Sequence, residues 1–208
     1  MKKTKKVLIL GLCAVLLVAA SVLGTMAYLT DTAEVRNTFT VGNVAITLDE
    51  ANVNPDGTKK DESRVATNMY KLMPGHEYLK DPTVHVTAGS EDCFLFVKVE
   101  NGISGIETTD AGDKISAQMA AKNWKAVTGV ENVYVYTEDT TNGMPTAVQA
   151  GDNKVVFEKF IIDGDVDSAK FNHNVGNIVV TAYAIQADGF AGKTANEILT
   201  TSKLIQYE

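Results

Sequence analysis

Apolar and polar residues alternate along much of this chain with the period of two that sends successive side chains to opposite faces of a strand. From 33 to 41 the odd positions are mostly apolar (Ala33, Val35, Phe39 and Val41, with Asn37 the exception), and from 44 to 48 the even positions Val44, Ile46 and Leu48 take over. The phase flips at Gly42-Asn43. A flip of one residue needs an extra residue in the ladder, so this pair is expected to form a bulge or hinge between two strand halves with different partners. Val84 and Val86 alternate with Thr83, His85 and Thr87, which predicts a half-buried strand with His85 on its polar side. In 93–99, Cys93, Leu95, Val97 and Val99 share one face while Phe94 and Phe96 take the other. A strand apolar on both faces is expected to be central or covered by another element. The same reading makes 178–187 a central strand. Residues 133–137 predict a hairpin arm with its valines inward and Tyr134 and Tyr136 outward, followed by a turn at Asn142-Gly143. Residues 154–162 predict a strand whose alternation breaks near Glu158-Lys159.

The remaining stretches read as connections. Residues 51–68, with Asn54-Pro-Asp-Gly57 and a mixed-charge run from Lys59 to Arg64, predict a turn and a solvated loop. Residues 69–73 predict a short strand ending at Pro74-Gly75. The best interior helix is 114–122, after which Trp124 is expected in the core. Thr194-Ala-Asn-Glu197 has the form of a capping box opening a short C-terminal helix, and 203–207 reads as a tail or edge strand. Many short strands at roughly ten-residue spacing with little helix predict an all-β fold, an antiparallel β-sandwich with one or two short helices.

The N-terminus has a different pattern. Met1 to Lys6 is cationic, 7–23 is apolar, and Thr25-Met26-Ala27 places small residues where a signal peptidase reads. Residues 1–27 are therefore expected to be a signal peptide cut between Ala27 and Tyr28, leaving 28–208 as one secreted domain. Contact with a membrane would arise only through an uncleaved leader.

Gly24-Thr-Met-Ala-Tyr-Leu-Thr-Asp31, Asn37-Thr-Phe-Thr-Val-Gly-Asn-Val44 and Ile46-Thr-Leu-Asp-Glu50 together resemble the N-terminal signature of the TasA/camelysin (CalY) family. The likeness continues at Leu72-Met-Pro-Gly75 and along Ile178-Val-Val-Thr-Ala-Tyr-Ala-Ile-Gln-Ala-Asp188; residues 102–151 match no motif of that family. The resemblance implies a jelly-roll-like sandwich, processing by a SipW-type signal peptidase, and assembly into fibres of a biofilm matrix or cell surface. Donor-strand exchange is the expected route, with 28–41 as the donated strand and Gly42-Asn43 as its hinge. Two other readings are a camelysin-like surface metalloendopeptidase and a monomeric surface-binding module. The terminal residues lack a hydrophobic tail and basic cluster, so retention is expected to come from self-association or from another matrix or anchoring protein.

Charge narrows the partners. The whole chain carries 19 basic and 26 acidic residues, and without the four leader lysines the balance is 15 to 26. Such acidity disfavours nucleic acid and anionic membranes. Cys13 lies in the leader, so Cys93 is alone in the mature chain and is read as a buried small hydrophobe. His76-Glu-x-x-Lys80 begins like a zinc-protease helix but lacks the second histidine, and the other two histidines, His85 and His173, lie far off in sequence. No recognised catalytic or zinc-protease motif occurs, so the sequence leans away from an enzyme. Asp163, Asp165 and Asp167 alternate as in half a calcium loop, but Ser168 and Asn174 stand where such a loop needs Gly and Glu. The stretch is read as a solvated acidic loop, with no resident cofactor expected and calcium or zinc the only metals suggested.

Overall fold

A computed structural model describes residues 43–166 and 176–203. In chain order the strands are β1 (Ile46–Val53), β2 (Lys59–Val65), β3 (Glu77–Leu79), β4 (Thr83–Val86), β5 (Cys93–Asn101), β6 (Trp124–Ala126), β7 (Val133–Tyr136), β8 (Ala147–Val148), β9 (Asn153–Val155), β10 (Lys159–Ile161) and β11 (Ile178–Gln186). Helices α1 (Ile115–Ala121) and α2 (Ala195–Ser202) complete the described elements. One sheet runs β2-β1-β4-β9 and another β11-β5-β7-β6, with β8 pairing the start of β5 and β3 pairing β10 separately. Every pairing between these strands is antiparallel, and the fold is an all-β sandwich.

The main core lies on the inner faces. Cys93, Leu95, Val97 and Val99 of β5 join Val84 and Val86 of β4, with Val44, Ile46 and Leu48 packed against them. The phase read for β5 is the one observed. Its opposite face, Phe94 and Phe96, forms a second cluster beneath Ile198 and Leu199 of α2. That helix is held by the predicted capping box: the Glu197 amide donates to the Thr194 hydroxyl, and the Thr194 amide donates to Glu197 Oε2 at 2.8 Å. β5 thus pairs on both sides and is covered on both faces.

Several expectations are corrected. Lys59 to Arg64 is not a loop but most of β2, whose ladder to β1 shifts register between Ala51 and Val53. Residues 69–73 do not form a strand. The Tyr78 hydroxyl donates to the Lys71 carbonyl (2.8 Å) and accepts from the Met73 amide (2.7 Å), so a side chain takes the backbone groups that a ladder would use. Tyr136 is buried rather than outward, edge-on to fully buried Trp124 with ring centroids 5.5 Å apart. The stretch 154–162 divides between β9 and β10, which belong to different sheets. β11 is not central: among the described residues it is an edge.

Candidate assembly groove

Strand edges expose unpaired backbone groups, and proteins protect them with charge, shortness or cover. The described edges of the two main sheets are treated unequally. β2 is Lys-Lys-Asp-Glu-Ser-Arg-Val, with its first six residues exposed, and β6 and β9 have three residues each. β11 has nine residues and no charge, and it pairs with β5 along its whole length. No described strand pairs with its outer side.

Beside that edge lies a groove of about 500 Å³. Its apolar wall includes Leu48, Tyr70, Leu72, Phe160, Ile178 and Val180. Met69 and Val179, 83% and 43% exposed, stand at its rim and are two of the three large hydrophobics most open to solvent among the described residues. Tyr70 sits edge-on to Tyr78 and to Phe160, which stack on each other at 4.9 Å, and it donates its hydroxyl to the Leu79 carbonyl at 3.0 Å. Burial pushes the Tyr70 phenol above its ordinary range, and the nearby Glu50 and Asp81 charges add to the shift.

The floor of the groove is polar. Glu50 is buried, with the Lys80 ammonium on its Oε2 and the Asn68 amide nitrogen donating to its Oε1 at 2.9 Å. Asn68 also donates to the Ala51 carbonyl (2.7 Å), and its own Oδ1 accepts from the Val53 amide (3.0 Å). All three of these groups also line the groove.

A second network crosses from β2 to β9. Arg64 donates to Asp49, to Asp81 Oδ2 (2.9 Å) and to the Thr83 hydroxyl (2.8 Å). His85 bridges Asp49 Oδ1 (2.8 Å) and Asn153 Oδ1 (2.6 Å). Partial burial pushes the Asp49 carboxyl upward, but the hydrogen bonds from Arg64 and His85 outweigh it and hold the group below the usual carboxylate range.

Of the residues singled out by sequence, Ala27, Tyr28, Ala33, Val35, Phe39, Val41, Gly42, Asp167 and His173 lie outside the described residues. Asn43 is exposed, and its carbonyl accepts from the Glu91 amide at 3.0 Å. His76 is hydrogen-bonded to the Asp56 carbonyl (2.9 Å) and packs edge-on to Tyr78. Glu77 opens β3 and pairs with Lys159, so the His76-to-Lys80 stretch runs extended rather than presenting one helical face. Asp163 accepts from the Asp165 amide at 2.8 Å, which closes a local turn. Among the described residues, no group of three His, Cys, Asp or Glu side chains is placed to hold a metal, and no helix is long and apolar enough to cross a membrane. Cys93 is buried, and burial, with the Asp92 and Asp152 charges, pushes its thiol up to about 11.

Sequence reasoning missed the Glu50-Lys80-Asn68 cluster, although a carboxylate within the buried run of β1 was a usable signal. It also missed Glu107, whose Oε1 accepts from the Ile115 amide at 2.6 Å and so caps α1 from seven residues before Lys114, whose own side chain makes no cap. The class defined by these features is a β-sandwich with, among the described residues, one long, uncharged edge beside a groove with an apolar wall and a polar floor. No family model, curated protein or solved structure matches the chain.

Proposed function

We propose that this protein is a secreted structural subunit that assembles into extracellular fibres of a matrix or cell surface. Residues 28–41 of one copy, freed by signal-peptidase cleavage near Ala27, add as a strand to the β11 edge of the next. The observation that carries this reading is the contrast of edges: β2 is armed with charge, whereas β11 is long, neutral and flanked by a groove with two exposed apolar residues at its rim. The alternation of Ala33, Val35, Phe39 and Val41 supplies a donated strand with one mostly apolar face, interrupted by Asn37. The resemblance to the TasA/camelysin family supports the same reading, with a SipW-type peptidase as processing enzyme and a further matrix or anchoring protein as a partner.

Removing residues 28–37 from the secreted chain tests this by electron microscopy. The shortened protein is expected to remain monomeric while the intact one forms fibres. Fibres of unchanged abundance from the shortened chain would sink the reading.

A further inference from the structure

The polar floor of the groove has a chemistry that strand addition does not require. Two groups that can react with each other, a primary amine and a carboxamide, meet on the two oxygens of one buried carboxylate. Lys80 is 11% exposed at its side chain and Glu50 5%, and the Tyr70 ring lies 5.9 Å from the Lys80 nitrogen. The amide carbonyl of Asn68 is already polarised by the Val53 amide, which donates to it at 3.0 Å.

We propose that Lys80 and Asn68 join in an intramolecular isopeptide bond, with Glu50 as the proton-transfer group. The Lys80 ammonium passes a proton to the carboxylate it touches, and the freed amine attacks Cγ of Asn68. Negative charge developing on Oδ1 is met by the Val53 amide, a donor fixed by the backbone of β1. Glu50 then returns the proton to Nδ2, the nitrogen already bonded to its other oxygen, and the Cγ–Nδ2 bond breaks. One C–N bond forms and one is lost; nothing is oxidised or reduced. The second amine proton leaves with the departing nitrogen as ammonium, and Glu50 ends as a carboxylate. Holding both partners on one carboxylate removes most of the orientational cost of an amide exchange that is otherwise very slow in water, and the open groove lets ammonia escape.

A buried ion pair with a neighbouring amide is the ordinary alternative, and mass separates the two. The purified full chain is expected to be lighter than its sequence by one ammonia. Trypsin should fail to cut after Lys80 and should yield a branched product joining residues 65–71 to residues 72–98. Lys80→Arg keeps a cation beside Glu50 but lacks the nucleophile, and it should restore the sequence mass and remove the branched product; Glu50→Gln should do the same. Folded wild-type protein with its full sequence mass and normal cleavage after Lys80 overturns the proposal. So does an ammonia loss that persists in Lys80→Arg, because it would belong to a different asparagine. None of these outcomes depends on whether the protein forms fibres.

Discussion

Gly57 has φ +84°, and a Cβ placed there would lie 2.7 Å from the Cα of Tyr78. Left-handed backbone alone costs an ordinary residue about 1–2 kcal/mol, and the contact is with backbone, which cannot swing aside. Gly57→Ala should therefore destabilise the fold by more than about 2 kcal/mol in urea unfolding; a change near zero would mean that the turn relaxes. Asp49 makes a prediction in pH. Its folded-state carboxyl is held low by Arg64 and His85, so its contribution is fully present above the unfolded value of about 3.9 and is lost as pH falls through the lower folded value. Asp49→Asn should lower the urea midpoint at pH 7, and the difference from wild type should shrink below about pH 3. A gap that stays constant into acid would assign the effect to packing instead.

β5 and β11 show what a pattern can and cannot carry at the level of a strand. Both are apolar on both faces, and both were expected to be central. Burial on two faces needs only two covers, however, and says nothing about neighbours within the sheet. β5 has strands on both sides, whereas β11 has one among the described residues. The second face of β5 is covered by α2, whose capping box was readable because all its parts lie within four residues. The cap of α1 was not readable, since Glu107 reaches it through tertiary folding. β2 escaped notice for a related reason: an exposed edge strand has no apolar alternation to detect. The groove's floor joins β1, the segment after β2 and the residue after β3, three places that only the fold brings together. Val179 offers a direct probe of the open edge. Being 43% exposed, it should accept lysine with less than about 0.5 kcal/mol of cost to the monomer. Under the assembly reading, Val179→Lys should also suppress fibres in electron micrographs, whereas undiminished fibres would move the docking site away from β11.

For the whole molecule, the unequal arming of the described edges bears on the geometry that growth would have under the assembly reading. A subunit whose flanks were all sticky would associate sideways as readily as lengthwise and yield sheets or clumps. Here β2 presents Lys59, Lys60, Asp61, Glu62 and Arg64, and β6 and β9 are too short to template much pairing. Under the assembly reading, the β11 edge as acceptor and residues 28–41 as donated strand would give each copy a valence of two, with unlike ends. Such a head-to-tail contact does not close on itself unless the rotation between neighbours happens to form a ring, so the expected product is an unbranched, polar filament one subunit wide. On the same reading, growth would stop at any copy that kept residues 1–27 attached.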